Sequence, residues 1–213
     1  MADINGLRLL PLLAIALLLT GCLKTEEASR GVYLVADVPE GDVAVAELGE
    51  VVGELLSAVR PGDALAVERA ESGVRDGMYL DGRPSRAVAQ VRALSGRLEE
   101  MAEAPAEGGE TDNGLVDSVS RGIHFLDHPR LGRRLIILFT NLQGEEPQGL
   151  PGDLAGYDFV AINSDLWRGG SNEAWAYLRR IDAWQRAVES RGGNWRVVPM
   201  NGNLAAALLE DGR

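Results

Sequence analysis

Apolar and polar positions along this chain fall into two alternating rhythms. Gly31 to Val38 (GVYLVADV) is a near-continuous apolar run, the pattern of a strand buried on both faces of a parallel sheet. A helical period follows. Leu48, Val51, Val52, Leu55, Leu56 and Val59 share one face, with Glu47, Glu50 and Glu54 off it. Pro61-Gly62-Asp63 predicts a turn, and Ala64 to Glu68 (ALAVE) a second strand. Met78 to Leu80, bracketed by glycines, predicts a short edge strand. Pro84 suits the first turn of the next helix, whose stripe is Val88, Val91, Leu94 or Ser95, Leu98 and Met101. Another helix, capped by Thr111 or Asp112, carries Leu115, Val116, Val119, Ile123 and Leu126 and ends before Pro129. Leu135 to Thr140 (LIILFT) is the clearest buried strand, and Tyr157 to Asn163 (YDFVAIN) is another. Ser171 or Asn172 caps a long helix bearing Trp175, Leu178, Ile181, Trp184 and Val188, closed by Gly192-Gly193. Trp195 to Met200 is a last strand, and Leu204 to Leu209 a short terminal helix.

This order predicts an α/β fold: an open, mostly parallel, doubly wound sheet of about six strands with helices on both faces. Ligands of such sheets sit beyond the carboxyl ends of the strands, where the winding direction reverses. Composition narrows the function. The net charge is −11. An acidic surface repels phosphate backbones, which argues against nucleic acid as a partner. It also supplies no polybasic patch for anionic lipid. Cys22 is the only cysteine, so no disulfide or redox pair forms within the chain. There is no GxSxG elbow, no P-loop and no GxGxxG after the first strand, so nothing marks an enzyme.

The amino terminus changes the picture most. Arg8 precedes an uncharged stretch from Leu9 to Leu19, the pattern of a secretory signal and too short to cross a bilayer as a helix. It ends in Leu19-Thr20-Gly21-Cys22, which resembles the bacterial lipobox. The resemblance implies cleavage before Cys22, diacylglycerol on its sulfur and an acyl chain on its amine, which together anchor far more firmly than one chain. Residues 1–21 are then a lipoprotein signal peptide, 22–30 the lipidated cysteine and a polar tether, and 31–213 one domain. Leu23 rather than Asp after the cysteine implies, for a Gram-negative host, sorting to the outer membrane facing the periplasm.

Three segments of the domain carry a second resemblance. The first strand ends at Asp37, Gly108-Gly109-Glu110-Thr111-Asp112 opens a helix, and Leu135–Thr140 runs into Asn141. Together with the element order over residues 31–213, these resemble the von Willebrand factor A domain. Pro61-Gly62-Asp63 and Pro84-Ser85-Arg86-Ala87 resemble a subgroup of bacterial lipoproteins bearing it. In that family the segments meet at the switch point and form a metal-ion-dependent adhesion site. The first strand supplies Asp-x-Ser-x-Ser, a later loop a Thr, and the fourth strand an Asp. Here Asp37 stands at the first ligand position, Pro39 and Gly41 replace the two serines, Thr111 matches the Thr and Asn141 replaces the Asp. The resemblance therefore implies metal ligands Asp37, Thr111 and Asn141, with one formal charge among them, too few hard oxygens for tight Mg²⁺ binding. Glu40, Asp112, Glu145 and Glu146 are the nearby carboxylates. Asp37 at a strand end also suits a plain turn-capping role.

Other constellations have simpler readings. His124 and His128 share a helical face in the last turn before Pro129, where the helix dipole alone favours histidine and no third zinc ligand is apparent. Trp175, Trp184 and Trp195 belong with core packing, whereas Trp167 lies in a polar loop where a partner would approach. Arg133-Arg134 and Arg179-Arg180 read as solvated positive spots. The expectation is a lipid-anchored envelope protein, not an enzyme, that binds another envelope protein through Asp37, Glu40, Thr111, Asp112, Asn141 and Trp167 without a cofactor. The alternatives are an adhesion-type binder that keeps Mg²⁺ or Mn²⁺, and a Rossmann-like small-molecule binder or enzyme using the same crevice.

Overall fold

The apolar runs at 31–37, 64–68, 135–140, 157–163 and 195–199 become strands of one sheet in the computed structural model of the chain, which describes residues 28–37, 42–70, 74–103, 114–142, 147–163 and 171–199. The strands are β1 (Ser29–Asp37), β2 (Ala64–Arg69), β3 (Val74–Tyr79), β4 (Leu131–Thr140), β5 (Tyr157–Asn163) and β6 (Asn194–Pro199). Their order is β3-β2-β1-β4-β5-β6. β3 is antiparallel to β2, and every other pairing is parallel. The helices are α1 (Asp42–Ala58), α2 (Pro84–Glu103), α3 (Leu115–Leu126) and α4 (Ser171–Glu189), with a 3₁₀ turn at Pro147–Gly149.

The central strands read as unbroken apolar runs because both faces are covered. On one face Val32, Leu34, Leu135 and Ile137 pack with Leu48, Val51 and Leu55 of α1 and Leu94 and Leu98 of α2. On the other, Tyr33, Val35, Ile136 and Leu138 pack with Val116 and Val119 of α3 and Trp184 and Val188 of α4. Each such aliphatic side chain contributes about 1.5–3 kcal/mol on burial. Sequence order and spatial order diverge once: after β2 and β3 the chain returns past β1 to build β4 on its other side. That places the winding reversal between β1 and β4.

Several elements depart from their sequence expectations. β1 starts at Ser29 and includes Arg30, because the Arg30 guanidinium and backbone N–H both donate to the buried Asp63 carboxylate, at 2.7 and 2.8 Å. Among the described side chains of α2 the buried positions are Ala87, Leu94 and Leu98, whereas Val88 is 60% exposed; Met101 lies outside them. This helix covers the short, largely polar β3 (VRDGMY), so only a narrow stripe of it finds apolar cover. α3 begins at Leu115 with Gly114 at its N-cap position and no side-chain cap, which corrects the predicted cap at Thr111 or Asp112. On α4, Trp184 is buried as expected, but Trp175 is 67% and Leu178 52% exposed. They correct the core-packing expectation, because the inward face of α4 is set by Tyr177, Trp184 and Val188. The terminal helix expected at Leu204 to Leu209 lies outside the described residues. Among the described residues no helix is long and apolar enough to cross a membrane.

Candidate functional site

The site is built from the ends of the two strands that flank the winding reversal. β1 and β4 stay in parallel register from Arg30↔Arg133 to Asp37↔Thr140, so the last residue of each strand lies beside the other. The Thr140 hydroxyl donates to Asp37 Oδ2 at 2.8 Å and accepts from the Leu142 N–H at 2.9 Å. Thr140 is buried, so its hydroxyl needs both partners. Burial pushes the Asp37 carboxyl above its ordinary range, and the bond from Thr140 works in the opposite direction.

The chain then turns sharply. Leu142 is buried and adopts φ +56°, a left-handed conformation costing a residue with a Cβ roughly 1–2 kcal/mol. Two contacts hold it: the Thr140 hydroxyl on the Leu142 N–H, and Arg180 Nε, which donates to the Asn141 carbonyl at 3.1 Å. Arg180 comes from α4, so the turn after β4 is tied both to β1 and to the helix beyond β5.

The structure thus brings Asp37 and Asn141 together at the strand ends. Cys22, Glu40, Thr111, Asp112 and Trp167 lie outside the described residues, as do Pro39, Gly41, Glu145 and Glu146. Thr140 and Arg180 are the two site residues the sequence reading missed. A lone hydroxyl closing an apolar strand is a signal that marks Thr140. Arg180 has no such signal, because its reach depends on how α4 docks.

The donors described here are one carboxylate, already accepting a hydroxyl, and the Asn141 side chain. Among the described residues no group of three or more His, Cys, Asp or Glu side chains is placed to hold a metal ion. Mg²⁺ and Mn²⁺ prefer a near-octahedral set of hard oxygens with compensating negative charge. This set does not fit them by itself; a further oxygen would have to come from Thr111 or a borrowed carboxylate.

The remaining constellations resolve differently from their sequence expectations. His128 lies beyond the end of α3, accepting the Arg130 N–H at Nδ1 (3.2 Å) and packing on Tyr79, whereas His124 is exposed within the helix. The two do not form an i,i+4 pair on one helical face, because the helix stops at Leu126. Arg133 donates to Asp158 at 3.1 Å, and Arg134 stacks over the Tyr157 ring. Neither these nor Arg180 is simply a solvated charge. A shallow groove of about 560 Å³ lies between α1 and α2, lined by Leu56, Val88, Val91 and Ser95.

A buried polar cluster went unforeseen. Glu68 of β2 is fully buried. It accepts from the Tyr33 hydroxyl and from both Nε (2.9 Å) and Nη2 of Arg121, which also donates to Ser118 Oγ at 3.0 Å. Burial, reinforced by Glu68, pushes the Tyr33 phenol far above its ordinary range. The cluster ties the first turns of α3 to β1 and β2, on the side of the sheet that α3 covers.

No family model matches the chain, and no curated relative matches it. Among solved structures it is similar to an aerotolerance-related membrane protein from Bacteroides fragilis, in a crystal form with multiple mutations to serines. The two are 13% identical, the similarity covers 84% of this chain and 96% of that one, and the TM-score is 0.46.

Proposed function

We propose that this chain is a lipid-anchored cell-envelope protein whose von Willebrand A-like domain binds another envelope protein, without catalysis and without a resident metal. The surface used is the rim at the strand ends, Asp37, Asn141 and Arg180; Glu40, Thr111, Asp112 and Trp167, which lie outside the described residues, are proposed with it from the sequence alone. The observation that carries this reading is the Asp37–Thr140 contact at the winding reversal. It supports the reading by giving these strand ends an ordered polar contact, at the position to which the sequence resemblance assigns a ligand set with Pro39 and Gly41 in place of hydroxyls.

Three measurements test the parts separately. Globomycin, which blocks lipoprotein signal cleavage, leaves a heavier precursor; an unchanged mass refutes the anchor. A photocrosslinking residue at Asn141 traps a specific partner in intact cells, while one at Arg92 on α2 does not; equal capture at both positions refutes the rim. Finally, the melting midpoint stays the same with Mg²⁺, Mn²⁺ or EDTA. A ligand that binds only the folded state raises the midpoint once its concentration well exceeds the dissociation constant, so a clear rise with Mg²⁺ or Mn²⁺ would establish the metal-dependent adhesion alternative instead.

A further inference from the structure

The edge of the sheet opposite the rim gathers arginines around the point where the chain joins the domain. β1, β2, β4, β5 and β6 are parallel, so their first residues share this edge, and antiparallel β3 ends there. Three turns meet around Ala28 and Ser29. A Cβ added to Gly62 would lie 3.0 Å from Ser29 Oγ, and one on Gly132 would collide with the Ala28 side chain. The third turn joins them through the Leu80 N–H, which donates to the Asp63 carbonyl at 2.7 Å. The turns carry Arg60 and Arg130, both exposed, and Arg83 and Arg86, whose side chains are each 63% exposed. Arg133 and Arg134 stand behind them, half-buried. Against these six stand four aspartates, Asp81, Asp127, Asp153 and Asp158; Glu189 and Arg191 of the turn before β6 offset each other in charge, and Arg30 and Asp63 neutralise each other. The edge is therefore two charges positive on a chain whose net charge is −11, which corrects the expectation, drawn from overall charge alone, that no basic patch is available to anionic lipid.

We infer that this arginine-bearing edge lies against the anionic headgroups of the membrane that holds the anchor, an inference that rests on the acylation of Cys22 proposed above. Five residues separate Cys22 from Ala28, and the six steps of chain between them span at most about 20 Å when fully extended. The edge is thus held close to the lipid, and electrostatic attraction acts once it comes within a Debye length of about 8–10 Å. The tether supplies Lys24 against Glu26 and Glu27, so the attraction must come from the folded edge. β1 then points away from the bilayer, and its nine residues carry Asp37 about 30 Å further out. The contact sets orientation as well as proximity, presenting the rim to partners in the aqueous space.

The test uses the full chain with Cys22→Ala, which cannot be acylated. It is mixed with vesicles of equal parts phosphatidylglycerol and phosphatidylcholine, or of phosphatidylcholine alone, and separated by flotation. The amino-terminal segment with Arg8 and Leu9–Leu19 is common to every variant, so its contribution cancels in the comparison between variants. The expected result is a preference for the anionic vesicles that collapses in high salt. Arg60→Gln with Arg130→Gln lowers binding to anionic vesicles about 25-fold, roughly fivefold for each arginine. Arg92→Gln with Arg179→Gln, on the helix surfaces, leaves it unchanged. If the first pair loses its circular dichroism, Arg83→Gln with Arg86→Gln takes its place. Equal binding to both vesicles, or an equal loss from the control pair, overturns the inference. Failure of acylation appears separately, as an unprocessed precursor in globomycin-free cells, and leaves the vesicle preference intact.

Discussion

Glu68→Gln probes the least expected feature of the fold. The wild-type carboxylate is fully buried and accepts from two donors, the Tyr33 hydroxyl and the Arg121 guanidinium. The amide keeps the shape but loses the charge, and it turns an NH₂ toward groups that also donate. Breaking a buried ion pair costs about 3–5 kcal/mol. The Arg121 side chain is 35% exposed and recovers hydration by swinging outward, which lowers the figure. The Tyr33 hydroxyl cannot move so readily, and a stranded buried donor costs about 1–3 kcal/mol. The net expectation is a loss of about 3 kcal/mol. In a domain of this size that is a fall of roughly 6–12 °C in Tm. In urea it is a lower midpoint at unchanged slope. A cycle with Arg121→Gln isolates the coupling between the two side chains. The apolar triple Tyr33→Phe, Glu68→Met, Arg121→Met recovers much of the loss, because no polar group remains to be satisfied. A Glu68→Gln cost below about 1 kcal/mol, or coupling near zero, would show that the cluster is not holding α3 to the sheet.

Three further outcomes follow from the same structure. Thr140→Val removes the only hydroxyl between Asp37 and the Leu142 N–H; the Asp37 carboxyl, followed by NMR titration, rises further, at a stability cost of about 1–2 kcal/mol, and an unmoved titration refutes the contact. All four tyrosines are held above their ordinary value, chiefly by burial, with Tyr177 at about 12. A raised native pKa gives stability that is fully present below the unfolded value near 10 and is lost as pH rises toward the native one. Phenolate absorbance should therefore appear together with loss of circular dichroism above about pH 10, and a tyrosine ionising near its ordinary value in the folded protein contradicts the burial. Gly122→Ala places a Cβ 2.7 Å from the buried Tyr33 ring. Overpacking of this kind costs about 1–3 kcal/mol by urea unfolding, and a neutral result means that Tyr33 has room to shift.

The sheet was legible in the sequence because burial on two faces leaves no alternative to a continuous apolar run. Val32 to Ala36 and Leu135 to Phe139 announce the two central strands, and the reversal between β1 and β4 follows from where they pair. Asp37 was legible for the same reason, as the polar residue that ends such a run. Periodicity fails where a helix has more apolar positions than the sheet can cover. Val88, Trp175 and Leu178 follow the helical rhythm yet face solvent, since only docking decides which part of a stripe is buried.

The chain by itself determined the strands and the carboxylate at the end of β1, both consequences of local patterning and short-range sterics. Only tertiary structure decided the rest. It joined Thr140 to Asp37 across 103 residues of sequence and brought Arg180 to the Asn141 carbonyl. It buried Glu68 beneath Arg121 and gathered the arginines of three separate turns onto one edge of an acidic protein. Those pairings depend on distance and direction in space, which a pattern of apolar and polar positions does not encode.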